Sequence, residues 1–210
     1  MSACQSGNID IVNLLFSNII DIDKANSNGS TAFSIACSMG QTKVAVLLLT
    51  HGADINKANS DGWTPLKIAC QVGNQDTVNM LLRNEASVNI EDKDGWTALM
   101  SACKNGNREI VQSLLENKAD VEYTAHDGST TPIKIARKFS HRRVERLLKR
   151  ALKGSINDGG DEEDDQEDDE DDEDSNRRRI DRISLPFQLT FLTTVMKMMT
   201  MTVTIYRLVF

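Results

Sequence analysis

Histidine is scarce in this 210-residue chain: there are three, His51, His126 and His141, and none belongs to a His-x-x-x-His pair. A phosphate-cradling glycine loop, a nucleophile elbow and a pair of carboxylates within an apolar stretch are missing too. General acid–base work, nucleophilic attack and phosphoryl chemistry each rely on one of these arrangements. No enzyme, no cofactor and no small-molecule substrate is therefore expected. Met1 is not followed by a secretory leader, and with 40% hydrophobic side chains and a net charge of −7 the expectation is an intracellular protein, cytoplasmic or nuclear. No uncharged stretch attains the ~20 predominantly apolar residues of a spanning helix, so no membrane is expected either.

Cysteine is also scarce, with four in the chain, and its placement is informative. Cys4, Cys37, Cys70 and Cys103 follow one another at intervals of 33 residues. Metal sites and disulfide frameworks do not space their members so evenly, whereas a repeated structural unit does. Ala3, Ala36, Ala69 and Ala102 keep the same interval, as do Gly7, Gly40, Gly73 and Gly106, and Gly29, Gly62, Gly95 and Gly128. One inward-facing helix position explains the thiols. Neighbouring helices stand about 8–10 Å apart, too far for bridging without backbone movement. Structural burial is expected for the cysteines, and no metal.

The unit is clearest from Asp61 to Asn89. Asp61-Gly62 supplies a turn, Thr64 accepts free N–H groups at a helix start, and Pro65 suits the first helical position, where no donor is needed. The spacing predicts a first helix over Pro65–Val72, broken by Gly73. A second helix follows, with Val78, Leu81 and Leu82 on one stripe.

Such a unit resembles the ankyrin repeat, through its period and its Thr64-Pro65-Leu66 signature. The resemblance implies an all-α solenoid of about five helix-turn-helix repeats with extended, β-hairpin-like fingers. It spans 1–153, with copies near 1–27, 28–60, 61–93, 94–126 and 127–153. Copies two and four, Thr31-Ala32-Phe33 and Thr97-Ala98-Leu99, lack the proline. The family's histidine after Thr-Pro-Leu is replaced by Ser34, Lys67, Met100 and Lys134, so its hydrogen bonds do not carry over directly.

Both ends of the array depart from the pattern. Met1 aligns with Ser34, so the first copy is truncated, and either a fragment or a fraying end is expected. Copy five, Gly128-Ser129-Thr130-Thr131-Pro132-Ile133, contains one extra residue, and the 33-residue register is expected to return by Val144. Its last helix carries Arg142, Arg143, Arg146, Lys149 and Arg150. That helix reads either as a solubilising cap or as a docking surface for an anionic partner. Glu85 and Lys118 stand where the family, and Gly52 here, place a glycine in the left-handed region, which costs roughly 1 kcal/mol.

Past Lys153 the composition shifts. Residues 154–182 read as a disordered acidic linker: Gly154 to Gly160 is a joint, and Asp161 to Asp174 is acidic except at Gln166. The array itself is near balance, with 18 Lys and Arg against 16 Asp and Glu. The acidic run reads as a solvated tail or as a strap that masks the basic last helix. Arg177-Arg178-Arg179 is a weak nuclear-import pattern. The status of 183–210 is open among an anchor, a genuine tail and a shifted reading frame. In the last case, acidic GA-codons read one base late yield only Met, Thr, Lys and Arg, and Met196 to Thr202 contains nothing outside that set.

What the array offers is surface. The resemblance implies a monomeric scaffold whose concave side, lined by finger tips and first helices, binds a protein partner; no nucleic acid is expected. The matching positions are Ser60, Asp61, Trp63, Gln71 and Val72, then Lys93, Asp94, Trp96, Lys104 and Asn105, extended by Ser38, Met39 and His126. Trp63 and Trp96 read as binding anchors or as covers for the neighbouring finger. An alternative function assigns binding of basic proteins to the acidic tract, as in chaperone-like or chromatin-associated proteins. A membrane-tethered scaffold is the remaining one.

Overall fold

The computed structural model describes Cys4, Gly7, Ile9, Asp10 and residues 21–154. The chain divides into Met1–Asn157 and Asp158–Phe210, and every described residue belongs to the first unit. The acidic linker, the arginine cluster, the tail and most of the truncated first copy lie outside the described residues.

Eight helices form four consecutive pairs among the described residues. They are α1 (Ala32–Ser38) with α2 (Thr42–Thr50), α3 (Pro65–Val72) with α4 (Gln75–Arg83), α5 (Ala98–Asn105) with α6 (Arg108–Glu116), and α7 (Pro132–Lys138) with α8 (Arg142–Leu152). Threonine opens the first helix of the interior pairs. The side chains of Thr31, Thr64 and Thr97 accept the backbone N–H of Ser34, Lys67 and Met100, satisfying a donor that the helix cannot. The Ser34 hydroxyl accepts the Thr31 N–H in return and closes a capping box. Gly73 and Gly106, both left-handed, end α3 and α5.

First helices pack on first helices in the order α1, α3, α5, α7, and second helices likewise in the order α2, α4, α6, α8. Each contributes an apolar stripe to one continuous core, with Phe33, Leu66, Leu81, Leu99, Ile110, Leu114 and Leu148 almost fully enclosed. Each such side chain contributes roughly 1.5–3 kcal/mol by leaving water. No repeat could enclose its own stripe, so the neighbours hold one another folded. Cys37, Cys70 and Cys103 occupy equivalent sites at 0% exposure and are free thiols. Burial pushes the Cys37 thiol up to about 12 and those of Cys70 and Cys103 higher still.

The fingers are turns rather than strands: no strand occurs among the described residues. Each turn is closed by two backbone bonds, such as Asn59 N–H to Trp63 O at 3.1 Å with Gly62 N–H to Asn59 O at 3.0 Å, and Asp92 N–H to Trp96 O at 3.1 Å with Gly95 N–H to Asp92 O at 3.0 Å. One backbone bond then links each finger to the one before: Ser60 N–H to Asn28 O, Lys93 N–H to Asp61 O and His126 N–H to Asp94 O. A second ladder runs beside it, in which the side chains of Asp23, Asn56 and Asn89 accept the N–H of Asp54, Ser87 and Asp120 in the next repeat.

The last repeat departs from the expected register. Helix α6 begins at Arg108 and α8 at Arg142, an offset of 34, so the inserted residue is never removed and Val144 corresponds to Ile110 rather than Val111. The insertion is absorbed where Thr131 sits ahead of α7, and that threonine makes no side-chain cap. The same shift places Ser140 at the helix-ending glycine position, in the left-handed region at φ 61°. Glu85 and Lys118 are left-handed as the alignment predicts, at φ 61° and 64°.

Candidate partner-binding face

Two side-chain acceptors build the face that carries the tryptophans. The Oδ1 of Asn59 accepts N–H groups from Asp61 at 3.0 Å and Trp63 at 2.9 Å, and that of Asp92 accepts from Asp94 at 2.9 Å and Trp96 at 2.8 Å. A short Asx residue can reach these donors without disturbing the turn, and it thereby fixes the backbone of each tryptophan. Trp63 and Trp96 are both half-buried, and Trp96 packs against the core. Their rings therefore serve partly as covers, with a portion left open to solvent.

Each ring is accompanied by an ammonium group. Lys67 Nζ lies 5.2 Å from the Trp63 centroid, and Lys104 Nζ lies 5.9 Å from that of Trp96. At these separations the ring quadrupole attracts the cation. The two lysines differ in every other respect. Lys104 is exposed at the end of α5, whereas the Lys67 side chain is 3% exposed and forms an ion pair with Asp92, itself 5% exposed. Lys67 also donates to Trp96 O at 3.0 Å, bridging two repeats.

Burial alone would raise the Asp92 carboxyl, but hydrogen bonds from Lys67 and from the Trp96 and Asp94 N–H groups outweigh it and hold the group below its ordinary range. Lys67 thus ties its helix to the next finger from the position the family gives to histidine. Met100 holds the equivalent site with no charge, and Lys134 is exposed and donates to Ser129 O within its own turn.

The other site residues expected from the sequence fall into two groups. Ser60, Asp61, Lys93, Asp94 and His126 are exposed on the fingers, where their backbones form the finger-to-finger bonds. His126 also contacts Glu91 through Nε2 at 3.2 Å, a hydrogen bond that raises its proton affinity. Met39 and Val72 are exposed at the ends of α1 and α3, and Ser38 and Gln71 are half-buried beside them. Asn105 holds the helices together, since its Nδ2 donates to Cys70 O at 3.2 Å and Gln71 O at 2.7 Å and so stitches α5 to α3. Sequence reasoning overlooks Lys67 and Asp92 as a pair. The signal available is a lysine at a buried helix position followed 25 residues later by an aspartate at a turn.

Models of ankyrin repeats match residues 1–92 and 81–136, and the chain belongs to the ankyrin repeat proteins. Proteins of this family are generally protein–protein interaction modules, which indicates protein partners. No curated protein matches the chain. Among the described residues no helix is long and apolar enough to cross a membrane, and no three His, Cys, Asp or Glu side chains converge as a metal site would require.

Proposed function

We propose that the chain is a non-catalytic scaffold that binds a protein partner along the face formed by its fingers and first helices. One observation supports this reading above others. Trp63 and Trp96 repeat at one position, are held by side-chain-anchored turns and are only half-buried, while Met39 and Val72 are exposed at the ends of the first helices α1 and α3. Tryptophan in a fixed backbone offers large contact area at low ordering cost, which is why binding hot spots are enriched in it. The three histidines sit on separate repeats: His51 follows α2, His126 is on a finger, and His141 precedes α8. That scatter supports the non-catalytic part of the reading.

The test uses the full chain as bait for proteins of its host cell, beside the Trp63→Ala and Trp96→Ala variants. Partners retained by the native chain should be lost from each variant while its melting curve stays cooperative. Partners that follow the acidic run 161–174, and ignore both tryptophans, would favour the acidic-tract reading instead.

A further inference from the structure

The finger-and-helix face changes character halfway along, and the change fixes the chemistry of the segment it can take. Two rows of equivalent residues show it. At the ends of the first helices, one row runs Met39, Val72, Asn105 and, with the inserted residue, Phe139; the row beside it runs Ser38, Gln71, Lys104 and Lys138. In the first two positions the rows are apolar and uncharged. Met39 is 47% and Val72 57% exposed, two of the five exposed large apolar side chains among the described residues. In the next two positions Asn105 is turned back onto α3, and Lys104 and Lys138 stand exposed.

Charge follows the same gradient. Along the first helices, α1 carries no charged residue, α3 only the buried Lys67, α5 only Lys104, and α7 Lys134, Arg137 and Lys138. Both acidic groups of the last repeat are engaged: Asp127 accepts from Ser129 and Thr130, and Glu145 pairs with Arg137 and Lys149 at 2.9 Å each. Asp61 and Asp94 are exposed on the fingers that precede α3 and α5, whereas Lys104 and Lys138 stand at the C-terminal ends of α5 and α7.

We infer that this face takes a linear peptide segment whose apolar side chains rest on Met39 and Val72 and whose acidic residues meet Lys104 and Lys138. The inference rests on the function proposed above and adds the partner's chemistry to it. Helices of adjacent repeats stand about 10 Å apart and an extended chain advances about 3.3 Å per residue. The carboxylates therefore lie about three to six residues from the apolar pair. Apolar contact supplies most of the affinity, and the lysines fix direction and reject basic segments, because a like charge set opposite them is costly.

The probe is a random peptide library displayed on phage, selected on the immobilised full chain, with the enriched sequences then made as synthetic peptides. The enriched peptides should combine an apolar pair with a nearby acidic cluster. Their binding should weaken about tenfold or more both in the Lys104→Glu/Lys138→Glu double variant and in Met39→Ser/Val72→Ser, as loss of a complementary pair predicts. All four positions are exposed, so each variant should keep a cooperative melt, lowered by no more than the loss of the Lys104–Trp96 contact. Peptides that need Trp63 and Trp96 but lack acidic residues, or that ignore the lysine reversal, would overturn this inference and leave the scaffold reading standing. Peptides indifferent to the tryptophans as well would overturn both, and a library that yields no enrichment would overturn the inference.

Discussion

The interior repeats and the last one share a plan and differ in what presses against them. A Cβ placed on Gly95 would meet His126 N at 2.5 Å, and one on Gly62 would meet Asp92 Cα at 2.9 Å, because the next finger stacks there. Around Gly128, the same position in the last repeat, nothing lies within 4 Å. Gly106 would likewise meet the His141 ring at 2.4 Å, and its counterpart in the last repeat is Ser140, a residue with a side chain. A single repeat would suggest that glycine is there for positive φ alone. The contrast separates that requirement from a second one, closeness to the following unit, which the last described repeat is spared.

The sharpest way to break the contrast is to exchange equivalent lysines. Lys67→Ala leaves Asp92 buried without its partner and should cost about 3–5 kcal/mol, whereas Lys134→Ala should fall within about 0.5 kcal/mol. Urea melts of both variants measure this, and similar losses would mean that the pair does not bind the repeats together. The double change Lys67→Met with Asp92→Asn borrows the residues at Met100 and Asn59 and should restore most of the loss, since a buried pair is replaceable by a neutral one. Acid supplies a further handle. The Asp92 carboxyl is held below its ordinary value, so its contribution is complete above that value and disappears as pH falls through the lowered one. Native stability should drop more steeply in acid than that of the double variant.

Glycine substitutions give the next largest difference. Gly95→Ala combines left-handed strain with a clash against backbone and should cost about 2–4 kcal/mol, while Gly128→Ala meets open space and should cost about 1 kcal/mol. Equal losses in thermal melts would show that conformation, rather than stacking, governs both. The smallest effects have the opposite sign. Glu85→Gly, Lys118→Gly and Ser140→Gly each relieve a left-handed residue and should raise stability by about 0.5–1 kcal/mol, or about 2–4 °C in a chain of this size. A fall for all three would contradict the strain.

Much of this fold is legible in the sequence because each local signal is repeated. The helix start at Pro65, the stop at Gly73 and the thiol positions rest on chemistry within a few residues, and α3 forms over the predicted span, Pro65–Val72. The inserted residue of the last repeat is visible too, but its consequence differs from the expectation. Local spacing cannot say whether a chain absorbs an extra residue before a helix or within it, and here the offset runs on through α8. The candidate face is legible as positions and much less as roles. Asn105 faces its neighbour because its amide reaches the carbonyls of Cys70 and Gln71, and Lys67 is drawn inward by a carboxylate 25 residues away. Such roles arise only when one repeat lies against the next, and a single repeat's sequence carries no record of its neighbour's reach.

The row of enclosed thiols has a practical corollary. Cys37, Cys70 and Cys103 are concealed by the units on either side of them, one thiol to each, so a cysteine-modifying reagent can reach a given sulfur only when that stretch of the stack parts. These three repeats thus contain internal clocks that record which part of the array opens first and how often.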